Sequence, residues 1–353
     1  MVLSNYRACW KGEFERYPSG LKLEYPPLDV AWKAAKYSGM KDHYPHFFAK
    51  SGYFAFFLYD IERFWVYDLF RTYLVDNALT GCNVRRTVFN PTNLDEAIAF
   101  MREMVRCGNL IWVSWMQPLL VYGVEDLENG VLVHWHNPVF AQQGTTWGRD
   151  ELERWWNWAD FEEAKLMIAP TGIAPGVNTD EEITVELAKL AVRNGEIDEY
   201  ELSGVKIPFG LKAYERYADD LRNPDVDFLE VDESGKPLRT AWFDFSIYCQ
   251  WTQTFAAHSY FSYVSSIFTG VEKEHLSRAA EHYSRAYGHW LEWEKLLGRH
   301  PDQSVFSSRL SDIAQRSAAA DAVDRARGEV KKAIESLADF LSSKNISLED
   351  EDN

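Results

Sequence analysis

L-I-W-V-S-W-M-Q-P-L-L-V-Y-G-V-E-D-L-E-N-G-V-L-V-H-W-H-N-P, from Leu110 to Pro138, is the stretch that decides the fold. Leu110–Trp115 is rich in β-branched and aromatic side chains and reads as a buried strand. Leu119–Val124 reads as a second strand, ending on the acidic pair Glu125-Asp126. Asn129-Gly130 is the strongest short hairpin signal, because both residues tolerate the positive φ of a type I′ turn. Val131–Trp135 returns as a third strand, and Asn137-Pro138 closes it. Strands joined in this way make an antiparallel β-meander.

Upstream of the meander, Asn93 caps a helix over Leu94–Cys107, with Glu96 placed for a capping box and Gly108 at the end. Leu94, Ile98, Met101 and Val105 follow the spacing of one buried face. Ser51–Tyr59 is a near-continuous apolar run, either a buried strand or a packed segment. Asp29–Ser38 reads as a short helix capped by Asp29 and ended by Gly39. Residues 1–25 read as a loose arm.

Downstream, Trp147–Trp158 looks helical, and Lys165–Ile168 reads as a last short strand before Pro170, Gly172, Pro175 and Gly176. The texture then changes. Asp180 is expected to cap a helix over Glu181–Arg193, and Gly210–Leu221 is amphipathic. Phe243–Phe268 is one long aromatic helix or a pair, and Lys273–Leu297 and Val305–Ser342 complete a helical region. The expected domains are an arm over 1–25, an α+β domain over 26–175, an all-α domain over 176–342 and an acidic, disordered tail over 343–353.

With 353 residues, of which 46% are hydrophobic and 26% charged, the chain can bury a real core in two domains. A net charge of −17 argues against nucleic acid or an anionic membrane as partner. Cys9, Cys82, Cys107 and Cys249 are scattered without zinc spacing, no apolar run is long enough for a membrane span, and no signal peptide opens the chain. A cytoplasmic protein with reduced thiols is the reading that follows. Aromatic residues reach 15%, in clusters such as Phe54, Phe56, Phe57, Phe64, Trp65 and Trp155, Trp156, Trp158. These fit either a ring-filled core or an aromatic ligand pocket.

Several segments appear in a familiar order: Ser51-Gly52-Tyr53-Phe54-Ala55-Phe56, Asn93-Leu94-Asp95-Glu96-Ala97, Leu120-Val121-Tyr122-Gly123-Val124-Glu125-Asp126 and Trp135-His136-Asn137-Pro138. Together they resemble the bacterial C39-like, papain-fold family typified by the N-terminal domain of butirosin-biosynthesis acyltransferase-like proteins. Gly210-Leu211-Lys212-Ala213-Tyr214 and the helices after it resemble the C-terminal region of the same proteins, so the likeness spans roughly residues 25–300. It implies a cysteine at the start of the first helix, a histidine before the Y-G-x-x-D strand, and an Asp or Asn before a proline. Asn137 matches the third role. The cysteine position falls near Pro26-Pro27 and the histidine position at or near Gln117, where neither residue can perform the chemistry. The resemblance therefore implies a degenerate member without thiol catalysis, a pseudoenzyme among proteins of secondary metabolism.

Other side chains could carry chemistry. His134 and His136 alternate onto one strand face, where they could serve as metal ligands or as hydrogen-bonded imidazoles; no metal is expected. His43 and His46 flank Pro45 in a surface turn or at a pocket rim. His275, His282 and His289 repeat every seventh residue, too far apart along a helix to share an ion, and read as a solvated or interface stripe. His258 is either a buried, bonded imidazole or a base. Cys82 and Cys107 become nucleophiles only if a positive neighbour favours the thiolate. The candidate catalytic set is thus His136, Asn137 and His258, and the candidate binding set is Gln117, Tyr122, Glu125, Asp126, His134, Ser51 and Tyr53.

The expected function is binding of a small metabolite or peptide in an aromatic cleft between the two domains, with no cofactor. Two alternatives stand beside it. One is an acyltransferase or amide hydrolase with a relocated nucleophile; the other is an interaction protein that dimerises through its helical domain.

Overall fold

The computed structural model of the protein describes residues 1–3, 6–9, 25–63, 69–114, 118–137, 141–158, 165–202, 204–235, 237–239, 241–298 and 308–348. Gln117, Pro138, Phe64, Trp65, the end of the expected tail and much of the expected arm lie outside the described residues. The chain divides into two units, Met1–Ser51 with Arg71–Asn178, and Gly52–Phe70 with Thr179–Asn353. A continuous 26–175 domain was expected, but Gly52–Phe70 belongs to the second unit. Its rings explain why: Phe54 meets Phe261 and Tyr283, Phe57 meets Tyr214, and Tyr59 meets Tyr217 and Phe245. Of the two readings of this run, the packed segment holds: it contains a buried turn of 3₁₀-helix at Tyr53–Ala55, entered through Gly52 at a φ of 79°.

The first unit is mixed α/β. Its strands are β1 (Val84–Phe89), β2 (Ile111–Val113), β3 (Leu119–Leu127), β4 (Gly130–Asn137), β5 (Ala141–Trp147) and β6 (Met167–Ile173). They form one sheet in the order β1-β6-β2-β3-β4-β5, antiparallel at every pairing. The expected meander is therefore present and one strand longer than expected. Its hairpin differs in detail. Leu127 pairs with Gly130, so Glu128 and Asn129 make the turn, and Asn129 is not among the positive-φ residues.

β6 was expected to end near Ile168, yet it continues to Ile173 and lies between β1 and β2. Pro170 is tolerated because the register with β1 shifts there, between Arg85 and Arg86. β1 itself escaped notice because Arg85, Thr87 and Val88 are exposed and hide its alternation.

The unit's helices are α1 (Pro26–Tyr37), α2 (Tyr44–Lys50), α3 (Arg71–Gly81), α4 (Leu94–Arg106) and α5 (Arg149–Trp158). α4 starts as expected, with Asn93 accepting from the Glu96 N–H at 2.9 Å, although the Glu96 carboxylate turns to Thr92 rather than to Asn93. α1 starts earlier than expected, at the two prolines. Asp29 does not cap it; that carboxylate is buried and paired with Lys33 at 2.7 Å, one turn along.

The second unit is helical, with α6 (Asp180–Gly195), α7 (Leu211–Arg222), α8 (Ala241–Tyr248), α9 (Ala256–Ser265), α10 (Gly270–Leu297) and α11 (Ile313–Ser343). It also carries a hairpin that the all-α expectation lacked, β7 (Glu199–Leu202) with β8 (Val205–Pro208). Thr179, one residue before the expected cap, closes a full capping box with Glu182 on α6. The long aromatic helix is interrupted by a π-helical turn over Cys249–Phe255 between α8 and α9. Arg316 on α11 is buried and donates to the carbonyls of Leu221, Asp220 and Val226, which lie at and beyond the end of α7. No helix among the described residues is long and apolar enough to cross a membrane.

Candidate functional site

Strand alternation gives the meander two different faces. Val113, Leu119, Val121, Val133 and Trp135 turn towards Met101 of α4 and towards Leu152 and Trp155 of α5. These side chains surround a wholly apolar space of about 10 Å³. That is room for about one water molecule and reads as a gap in core packing rather than a ligand pocket.

The other face holds the chemistry. Trp112 pairs with Leu120 and Leu120 with His136, so the three side chains form one cross-strand row. Trp112 also donates its indole N–H to the Pro27 carbonyl at 3.1 Å. That bond fixes the first turn of α1 against the centre of the sheet. Pro26 and Pro27 open this helix, as their preset φ and missing N–H allow. The helix start thus lies against Trp112, and His136 stands two strands further along the same row, roughly 10 Å by strand spacing from Trp112.

His134 shares that face two residues back. Its Nε2 lies 3.4 Å from Glu125 Oε2 on β3 without forming a well-aligned hydrogen bond. The Tyr122 ring centre is 5.8 Å from the His134 ring, and Tyr6 stacks on Tyr122 at 4.2 Å. The chain start borders this group as a short added strand: Leu3 N–H donates to the Tyr122 carbonyl, and Val124 N–H to the Met1 carbonyl, both at 2.9 Å. The Met1 ammonium donates to the Val124 carbonyl. Tyr122, Glu125 and His134 are all half-buried, and the His134 Nε2 atom itself is covered.

Asn137 anchors two strands. It is fully buried and donates its side-chain amide to the Pro118 carbonyl at 2.9 Å, tying the end of β4 to the start of β3. His136 is buried beside it.

The remaining candidates go elsewhere. Asp126 is exposed and pairs with Arg102 of α4 at 2.6 Å. Ser51 is buried at the end of α2 and donates to the Phe48 carbonyl at 2.6 Å. Tyr53 and His258 belong to the second unit. Tyr53 is buried there, and His258 Nδ1 bonds the Ala280 carbonyl of α10 at 3.0 Å, the bonded-imidazole alternative. The seven-residue stripe is a helix-packing feature, with His275 facing Asp339 and His282 facing Glu329 of α11. Among the described residues, no three His, Cys, Asp or Glu side chains gather as metal ligands.

The sheet unit therefore brings together Tyr122, Glu125, His134 and His136. Sequence reading missed Trp112, Tyr6 and the chain start, whose roles depend on contacts distant along the chain. In comparisons with known proteins, no family model matches this chain and no curated protein matches it.

Proposed function

We propose that the sheet unit is a papain-like scaffold without thiol catalysis, which binds a small metabolite or a short peptide at the face formed by Tyr122, Glu125 and His134. The observation that carries this reading is the Trp112–Pro27 bond: it holds a helix start against the sheet at Trp112, in the row that His136 ends two strands away. In this reading the nucleophile's position falls at the start of that helix, which Pro26 and Pro27 occupy. Glu125 and His134 can accept and donate hydrogen bonds, while the Tyr6–Tyr122 stack offers an aromatic surface beside them. A ligand with an amide or carboxamide and one apolar or aromatic group meets all three. A cytoplasmic role in small-molecule biosynthesis is part of the same proposal.

The test is ligand-observed NMR on the full chain with a panel of N-acyl amino acids and dipeptides. Binding should weaken at least tenfold in Tyr122→Ala and in His134→Ala, and should survive alkylation of every accessible thiol. A panel without a binder, or binding indifferent to both substitutions, overturns the proposal.

A further inference from the structure

A second group of reactive side chains lies at the ends of α2 and α3. The Asp42 Oδ2 atom receives the Lys50 ammonium at 2.9 Å and the Cys82 thiol at 3.0 Å, so a single oxygen holds both. Lys50 and Cys82 are 8% and 7% exposed. Gly81 lies over the lysine stem so closely that a Cβ there would be 3.1 Å from Lys50 Cβ. An amine and a thiol are thus confined together, shielded from larger reagents and reachable by small ones. Cys249, by contrast, is buried facing Tyr214 and Gln253, and Cys107 is exposed.

We infer that Lys50 and Cys82 form a covalent modification site, in which dioxygen joins them through one oxygen atom as an Sγ–O–Nζ bridge. The thiol gives up one hydrogen and the ammonium two. One atom of dioxygen becomes the bridge and the other leaves as water, with one proton released. Sulfur and nitrogen are each oxidised by two electrons, and dioxygen takes up all four. The carboxylate's part is to hold both reacting atoms on one oxygen before the oxidant arrives. The bridge would close the loop between residues 50 and 82, which contains the whole Gly52–Phe70 segment of the second unit. The chain leaves the first unit after Ser51 and returns at Arg71, so both crossings fall within that loop.

The test is peptide mapping of the full chain after storage in air-saturated buffer, against a sample kept anaerobic. The expected result is a mass gain of one oxygen less two hydrogens, with a linked peptide in which trypsin no longer cuts at Lys50. Dithiothreitol should reverse both, and both should be absent from the anaerobic sample, from Cys82→Ser and from Lys50→Arg. Equal cleavage at Lys50 in aerated and anaerobic wild-type protein overturns the inference, whatever oxidation state Cys82 carries. The wild-type map decides the matter even if a substituted chain fails to fold.

Discussion

Replacing Asn137 by Asp separates a structural corner from a catalytic one. The papain-like pattern accepts either residue before the proline, so a residue that only orients an imidazole would tolerate the change. In this structure the Asn137 amide donates to the Pro118 carbonyl at 2.9 Å in a fully buried place. A carboxylate there has no proton to give. The lost bond costs about 1 kcal/mol, and two buried acceptors left facing each other add about 1–3 kcal/mol. The sum is a loss of about 2–4 kcal/mol at pH 7. Its pH dependence has a definite sign, since burial beside a carbonyl raises the folded pKa of the new carboxyl above the unfolded value of about 3.9. The penalty is complete above that raised pKa and shrinks by about 1.4 kcal/mol per pH unit as pH falls towards the unfolded value. Once protonated, the acid can donate to Pro118 itself. Urea unfolding at several pH values measures this directly, with Asn137→Ala as a control whose loss should not vary with pH. Wild-type stability of N137D at pH 7, or a penalty that deepens in acid, would refute the reasoning.

Three further expectations concern individual polar side chains. Burial opposes ionisation of Asp42, but Lys50, the Cys82 hydrogen bond and nearby His46 outweigh it and hold the carboxyl below its ordinary range. Its stabilising effect is therefore complete above the unfolded pKa and disappears as pH falls through the lower folded value. Asp42→Asn should lose on the order of 1 kcal/mol near neutrality, a modest figure because the side chain is 33% exposed, and the gap should close in acid unfolding curves. Arg316→Met leaves the carbonyls around the end of α7 without their donor, and should cost about 1–3 kcal/mol in denaturant unfolding; no loss at all would contradict the role given to Arg316. The Ser114 hydroxyl is buried without a hydrogen-bond partner, so Ser114→Ala should be neutral or raise stability by up to about 1 kcal/mol, measured as a shift in Tm.

The legible features were those encoded within a few residues of themselves. The Asn93 cap, the apolar face of α4 and the strands of the meander are local patterns, and each forms close to where its residues place it. β1 was illegible because exposed arginine and threonine disguise its alternation, and β6 because Pro170 imitates a strand end. Of the site, the shared face of His134 and His136 could be read from period two alone. The approach of Glu125 to His134 depends on register across a hairpin, which fixes who stands diagonally from whom.

By itself, the sequence determined a mixed α/β first part with an antiparallel meander and a helical second part. Local propensity and periodicity are enough for that. Only the tertiary structure decided that Gly52–Phe70 leaves the first unit, because its rings gain more by burial among distant helices than any local pattern records. Tertiary contact likewise assigned Asn137 to the Pro118 carbonyl and brought Lys50 and Cys82, 32 positions apart, onto one carboxylate oxygen. A side chain's chemistry is set by its neighbours in space, and those neighbours lie too far along the chain for a linear pattern to name them.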